Sequence, residues 1–383
     1  MSELRKVIGE ELAEIIKTAR SGGPVTRIGV MASGSELGSE ELINGALEAS
    51  KRYRDVQVVM IGPGKRADSG LEWIETEDDE VAMAQGMEKA IREGVVEGAV
   101  ALHYPFPLGV TTVGRVVTPA RGKPMLLAST TGTSATSRIE AMIMNALYGI
   151  AVAKSIGIED PALGILNVDG AQMVYRSLKE LKEKGYPLRF GESVRKDGGA
   201  VLRGNDILCG AVDVCVTDTL TGNVLMKFFS AYSTGGTYES MGWGYGPSVG
   251  KDWDHVVSII SRASGAPVIA NAIRFTADAV RGNVSSKVVD EVKKAERAGL
   301  GEVLSASEPL VKPAGEEITP PPAEPTDEEL HGVDVLSIED AVRELWKKGI
   351  YAESAMGCTG PVVKVSSARL AEATKVLKEN KFL

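Results

Sequence analysis

The stretch "AVDVCVTDTLTGNVLMK", residues 211–227, decides the fold. An apolar, β-branched run at 212–217 stops at Asp218, a Thr221-Gly222-Asn223 turn follows, and the spacing then becomes helical. A strand that is apolar throughout is buried on both faces, as in a parallel sheet covered by helices. Thr221 and Asn223 are helix-capping residue types, and Gly222 lets backbone N–H groups approach an anion with no Cβ in the way. Asp218 ends the strand at the face where substrates bind in such folds. Any strand–turn–helix junction needs a glycine and a cap, so spacing alone leaves a purely structural reading open.

The same alternation runs outward along the chain. Strands are expected at 27–32, 56–62, 97–102, 124–128, 162–168, 212–217, 267–270 and 361–365. Helical spacing fills 39–53, 80–94, 134–157, 171–185, 221–232, 286–299 and 337–349, and an amphipathic pattern opens the chain at 4–16. This predicts an α/β fold, a three-layer α/β/α arrangement around a mostly parallel sheet. Ligands then bind beyond the carboxyl ends of the strands. Residues 305–333, with three consecutive prolines and excess acid, break the rhythm and predict a Pro/Glu-rich surface linker. The expected organisation is a body at 1–304, the linker at 305–333, and a helix-strand-helix segment at 334–383 that returns to the same body.

Composition narrows the function. A net charge of −9 argues against a nucleic-acid partner, which demands a basic surface. No apolar run reaches the roughly 18 residues of a membrane span. The charged N-terminus does not read as a signal peptide, and three cysteines form neither a disulfide framework nor a metal motif. Cytoplasmic location is the expectation.

A second strand-to-helix junction, "LLASTTGTSATSRIEAM" at 126–142, places Ser129, Thr130, Thr131, Thr133, Ser134, Thr136 and Ser137 around Gly132. Hydroxyls and free N–H groups at a positive helix end suit a phosphate-sized anion without lysine. Solvated hydroxyls around an ordinary cap are the equal alternative. The turn at 28–41 has G-x-x-x-G spacing, not the dinucleotide fingerprint, which argues against a nicotinamide site. The Gly-rich, aromatic loop at 231–255 reads as a lid or a partner surface. His103, His255 and His331 show no metal spacing, and Cys209 and Cys215 lie in or beside an apolar strand, as buried cysteines do. Cys358 differs: in "ESAMGCTGPVVKV" (353–365) it stands between Gly357 and Gly360, where a thiol can stand clear of its own backbone. A thiolate there is a nucleophile able to carry an acyl group as a thioester. An idle loop cysteine is the alternative.

Together these stretches resemble the PlsX phosphate acyltransferase family, over about residues 25–300 and 350–380. The residues carrying the resemblance are 211–227, "YPLRFGESVRKDGGAVLRGNDIL" with Asp206, and "SIGIEDPALGILNVDG". The implied fold is similar to the isocitrate and isopropylmalate dehydrogenases, and the implied assembly is a homodimer. Two loops depart from the family: Met31-Ala32-Ser33-Gly34-Ser35-Glu36 and His103-Tyr104-Pro105-Phe106-Pro107. The chain is more similar, along essentially its whole length including the Gly-Cys-Thr-Gly tail, to a PlsX-like relative, the family of alpha subunits of protein component C of glycine reductase. That resemblance implies formation of acetyl phosphate from an acetyl thioester and inorganic phosphate, in amino-acid fermentation. The implied partners are a component C beta subunit and a selenoprotein component A. Cys358 matches the acyl-bearing cysteine. Asp218 and Asp206 would orient substrate or loop groups, and Ser129, Thr130, Thr131, Thr133, Ser134, Thr221, Gly222 and Asn223 would bind phosphate. Neither a metal nor an organic cofactor is implied. An acyl-carrier-protein transferase of lipid synthesis and a non-catalytic scaffold remain as alternatives.

Overall fold

A computed structural model describes residue 12 and residues 25–195, 198–307, 318–334, 337–357 and 360–383. The amphipathic pattern at 4–16, apart from Leu12, and Cys358 itself lie outside the described residues.

The main sheet holds twelve strands among the described residues: β1 (Thr26–Met31), β2 (Val56–Ile61), β3 (Glu72–Ile74), β4 (Gly98–Ala101), β5 (Val110–Val117), β6 (Pro124–Thr133), β7 (Ala162–Leu166), β8 (Arg189–Phe190), β9 (Val201–Leu202), β10 (Val214–Val216), β11 (Gly246–Val249) and β12 (Val257–Ile259). Their order is β3-β2-β1-β4-β12-β11-β5-β6-β10-β7-β8, with β9 also paired to β7. The fold class is as expected, α/β with a mostly parallel sheet. Pairing is parallel from β3 to β12 and again from β6 to β8. Three successive antiparallel pairings, β12–β11, β11–β5 and β5–β6, join the two blocks and reverse their direction. The carboxyl ends of β6 and β10 therefore open on the edge where β1 and β4 begin. The loop at 31–36, beyond β1, lies on the far edge.

Helices cover the sheet: α1 (Ser39–Arg52), α2 (Glu80–Arg92), α3 (Arg138–Ser155), α4 (Ala171–Glu183), α5 (Gly204–Cys209), α6 (Thr219–Ala231), α7 (Ala266–Arg281), α8 (Val284–Arg297) and α9 (Leu300–Ser307). Helix α3 is buried on nearly every side, as its almost uninterrupted apolar sequence requires. It reaches the sheet closely at Gly149, where a Cβ would stand 2.6 Å from Val214 Cγ1. It is tied to α8 through Glu291, which is 2% exposed and takes Lys154 Nζ at 2.8 Å, Lys294 Nζ at 2.7 Å and the Tyr186 hydroxyl at 2.8 Å. Replacing Glu291 itself would leave Lys154, 16% exposed, and the Tyr186 hydroxyl without this partner, a destabilising loss.

Several local expectations are corrected. Residues 267–270, expected as a strand, open α7: Pro267 sits in its first turn after the N-cap Gly265, and the apolar positions continue at helical spacing. The β-branched run VTTVGRVV at 110–117 is a strand that the sequence reading passed over, as are β11 and β12. The hydroxyl-rich stretch at 129–133 is not a loop. It is the end of β6, and α3 begins only at Arg138.

The C-terminal segment builds a sheet of its own. β13 (Glu328–Leu330), β15 (Gly360–Val365) and β14 (Ala352–Gly357) pair antiparallel in that order, with α10 (Ile338–Lys347) and α11 (Leu370–Glu379) packed on them. The strand expected at 361–365 thus pairs with two neighbours from this segment and not with the main sheet. Val333, Leu345, Ile350, Val363 and Leu377 belong to a separate apolar cluster. The stretch expected as a linker is structured at both ends, by α9 up to Ser307 and by β13. Residues 318–327 are irregular and mostly exposed.

Candidate functional site

The far end of β6 and the start of α6 are clamped together. Past a register shift between Thr112 and Val113, β5 and β6 pair Thr112 with Thr131, Thr111 with Gly132 and Val110 with Thr133. Hydroxyls from both strands interlock there. Thr111 Oγ1 donates to the Thr131 carbonyl at 2.7 Å and bonds the Ser129 hydroxyl, while the hydroxyls of Thr112 and Thr130 lie 2.8 Å apart. Thr130 Oγ1 also donates to the Tyr245 carbonyl at 2.7 Å. From the helix side, the Thr219 hydroxyl is 3.0 Å from Ser129 Oγ, and Asn223 Nδ2 donates to the Thr130 carbonyl at 3.0 Å. Gly222 lies against the Ser129 carbonyl. Behind this junction Ser134 Oγ donates to Asn145 Oδ1 at 2.6 Å, and Asn145 Nδ2 donates to the Thr217 carbonyl at 3.1 Å.

The two turns singled out in the sequence therefore meet, but many of their donors are already engaged. Ser129 and Thr130 are fully buried and bonded to β5 and to the chain around them. Asp218 is the N-cap of α6, accepting from Thr221 N at 3.1 Å and Thr221 Oγ1 at 2.6 Å. The positive end of α6 is thus answered by its own carboxylate, which would repel a second anion. The N-terminus of α3 has an acidic residue in its first turn, Glu140, but no carboxylate capping it. Its N-cap, Ser137, makes no side-chain cap bond, and the first-turn N–H groups have no intrahelical acceptor by position. Exposed Thr133 and Thr136 stand around this end. Arg138 is its first helical residue, with Nη1 3.5 Å from Asp169 Oδ2 beyond β7. Arg138 was missed as a site candidate, although a cation at the first position of a hydroxyl-flanked helix is visible in the sequence.

Asp206 is fully buried in α5, and its carboxylate accepts from Ser193 Oγ (2.9 Å), Val194 N (2.8 Å) and Arg203 N (2.7 Å). It fastens Ser193 and Val194 to the start of α5. Cys215 is fully buried in β10, and burial, aided by the nearby Asp206 charge, pushes its thiol up to about 12. Cys209 is buried too, its sulfur 3.5 Å from the Asp206 carbonyl oxygen. His103 is exposed, His255 is stacked on Trp253 at 3.9 Å, and His331 lies 3.6 Å from Glu329. Among the described residues no group of three or more His, Cys, Asp or Glu side chains is placed to hold a metal ion. The departing loop at 103–107 puts Tyr104 and Phe106 against Trp253, with ring centroids 5.0–6.2 Å apart. Beside it a cavity of about 430 Å³ carries Glu140, Asp252 and Glu296 against Lys251, so anions are disfavoured there.

A mixed α/β sheet of two opposed parallel blocks, with a hydroxyl-lined junction at the carboxyl ends of β6 and β10, frames the comparison with known proteins. The sequence profile described as fatty acid synthesis protein matches residues 26–364, and the chain belongs to this family, the PlsX-like proteins. Within it, the chain is 50% identical over 384 residues to the "Glycine/sarcosine/betaine reductase complex component C subunit alpha" of Peptoclostridium acidaminophilum, covering 99% of each chain. It is 30% identical over 233 residues to the "Phosphate acyltransferase" of Thermotoga neapolitana, covering 52% of this chain and 68% of that one. A crystal structure of a branched-chain phosphotransacylase from Enterococcus faecalis aligns at a TM-score of 0.46 with 17% identity, over 66% of this chain and 99% of that one. No helix among the described residues is long and apolar enough to cross a membrane.

Proposed function

We propose that this chain is an acyltransferase, the alpha subunit of component C in a glycine, sarcosine or betaine reductase complex, and that it forms acetyl phosphate from an enzyme-bound acetyl thioester and inorganic phosphate. The reading is carried by identity to the component C alpha subunit across 99% of both chains. Cys358 holds the acetyl group. A phosphate oxygen attacks the thioester carbonyl, the C–S bond breaks, and the sulfur leaves as thiolate, so no redox step or organic cofactor is called for. Phosphate is held at the uncapped start of α3, by first-turn N–H groups, exposed Thr133 and Arg138, while the Ser134 hydroxyl is kept by Asn145. The Thr221-Gly222-Asn223 turn and Asp218 shape the wall facing it, and Thr131 and Thr219 stand half-buried at the seam between the two helices. Backbone donors aimed at the developing oxyanion contribute about 3 kcal/mol each in comparable acyl transfers. The test is phosphate-dependent cleavage of an acetyl thioester by the chain with its partner subunits supplied, read as acetyl phosphate. Cleavage that proceeds equally without phosphate sinks the reading.

The partner reading has a surface to stand on. Leu220, Val224 and Phe228 along α6 and Tyr232 just past its end repeat every four residues and are 73%, 44%, 69% and 48% exposed. Between 219 and 250 the charged side chains are Lys227 and Glu239, which pair at 2.6 Å. In a chain of net charge −9, an apolar face without net charge is where two copies meet with least repulsion. We read it as the homodimer face. Phe228→Glu is expected to convert the dimer to monomer in sedimentation, and an unchanged mass would remove this face from the assembly.

A further inference from the structure

Helix α3 is apolar along almost its whole length, yet it carries one amide, Asn145, with no exposed surface. An amide buried among apolar side chains is costly unless both of its ends are bonded, and here both are. Asn145 Oδ1 accepts the Ser134 hydroxyl at 2.6 Å, and Nδ2 donates to the Thr217 carbonyl at 3.1 Å. That fixes which way the amide faces, because a carbonyl oxygen can only accept. Ser134 lies just upstream of Ser137, the N-cap of α3. Thr217 directly precedes Asp218, the N-cap of α6. One side chain two turns inside α3 thus links the lead into its own helix with the start of α6.

Neither bond is the last one open to its partner. The Ser134 hydroxyl also lies 3.1 Å from the Ala141 carbonyl, and the Thr217 carbonyl also accepts Ser129 N at 3.3 Å. What the amide adds is a fixed span. Ser134 is held alongside the first turns of α3, and that flank is held to the end of β10.

We propose that Asn145 is a positioning residue for phosphate: through Ser134 and Thr217 it fixes the lead into α3 relative to the start of α6, and so places Arg138 and the first-turn N–H groups. This rests on the reading that phosphate sits at the start of α3. Asn145 itself is buried and touches no substrate. Its loss weakens phosphate binding more than it weakens the fold, because Ser134 and Thr217 each keep a second partner.

The experiment uses the full chain as wild type, Asn145→Leu, Asn145→Ala, Ser134→Ala and the double variant Ser134→Ala/Asn145→Leu. Leucine keeps the branching of asparagine and removes both bonds. Inorganic phosphate is titrated by phosphorus NMR, with no acyl donor or partner subunit, and Tm is recorded for each protein. Asn145→Leu and Ser134→Ala are each expected to weaken phosphate binding about tenfold or more, the scale of loss that follows a misplaced binding group. The double variant should lose no more than the worse single variant, because the two residues act as one unit. Should leucine overpack and prevent folding, Asn145→Ala and Ser134→Ala decide by the same limits.

Folded Asn145 variants that bind phosphate within twofold of wild type overturn the proposal and leave the seat standing. The amide is then merely structural, whatever its Tm. Losses that add up in the double variant also overturn it, since the two residues then act apart. Wild type that binds no phosphate, or binds it no better than Arg138→Ala does, removes the seat at the start of α3 and the positioning role with it.

Discussion

Gly222 presses on the backbone of Ser129: a Cβ at position 222 would stand 1.8 Å from the Ser129 carbonyl oxygen and 2.9 Å from its carbon. The first turn of α6 and the end of β6 meet backbone to backbone, and hydroxyls and an amide on either side fasten the contact. The sequence reading expects this glycine in an anion-binding turn. The geometry gives it a further reason to be glycine.

Gly222→Ala is therefore expected to separate the two segments. Backbone cannot move aside as a flexible side chain can, so overpacking of 1–3 kcal/mol or more is expected. Activity should fall further than stability, because the junction at Ser129, Thr219 and Asn223 is displaced together. Urea denaturation and acetyl phosphate production together check this, and a variant within 0.5 kcal/mol of wild type with full activity contradicts it.

Asp218 caps α6, and its two roles separate by substitution. Asp218→Asn keeps an acceptor for Thr221 N, so stability should change by only a few tenths of a kcal/mol, while Asp218→Ala should cost about 1 kcal/mol. If the carboxylate also orients the reacting groups, both variants lose activity alike. If Asp218→Asn keeps full activity, the residue is a cap and nothing more.

Arg138→Ala tests the placement of phosphate. The prediction is a rise in the KM for phosphate of about tenfold, with Tm little changed, since Arg138 is exposed and its contact with Asp169 is 3.5 Å long. Thr221→Ala should move the phosphate KM less, because its hydroxyl already serves Asp218 at 2.6 Å. The reverse order would return the anion site to the start of α6.

Cys358→Ser should abolish acetyl phosphate formation at equal folded concentration, since a hydroxyl without a dedicated base is a far weaker nucleophile at neutral pH. Alkylation should report Cys358 ahead of both other thiols. Cys215 has no exposed surface and a thiol pushed up to about 12, so little thiolate forms at neutral pH. Labelling of Cys215 first would mean that β10 opens.

The fifth prediction concerns pH. Asp55 binds Arg274 at 3.0 Å and also Arg281, both from α7. Burial works to raise its carboxyl, but the Arg281 hydrogen bond and both guanidinium charges outweigh it and hold it below the usual 3.8. A lowered folded value means that the stabilisation is complete above the unfolded value and is lost as pH falls through the folded one. Asp55→Asn should thus cost about 1 kcal/mol near neutrality and progressively less as pH drops below the ordinary Asp range. A penalty that stays constant into strong acid would rule out the charge as its source.

By itself the sequence determined the class of the fold and the two segments that meet at the junction. Apolar runs such as 212–217 followed by a capped turn specify a buried strand and the helix after it, because burial on both faces and the cap chemistry are local properties. It also singled out Cys358, and Asp206 through the family resemblance; it expected a surface linker over 305–333, whose ends are instead held in α9 and β13. Tertiary structure decided the rest. PVIA at 267–270 is helix because Pro267 after Gly265 starts a turn that the following residues continue, a choice that four apolar residues cannot make alone. The reversal of the two parallel blocks depends on β11 and β5, so the sequence alone could not put the 31–36 loop and the 129–133 hydroxyls on opposite edges. Most consequential is the fate of the polar groups. Ser129 and Thr130 read as phosphate ligands in one dimension and Asp206 as an orienting carboxylate, yet a buried donor or acceptor must find a partner wherever it lands, and here β5, Ser193, Val194 and the surrounding chain supply those partners. Ser137 makes no side-chain cap bond at the start of α3, and that difference, set by packing across the sheet, is why the proposed anion seat lies a few residues along the same motif.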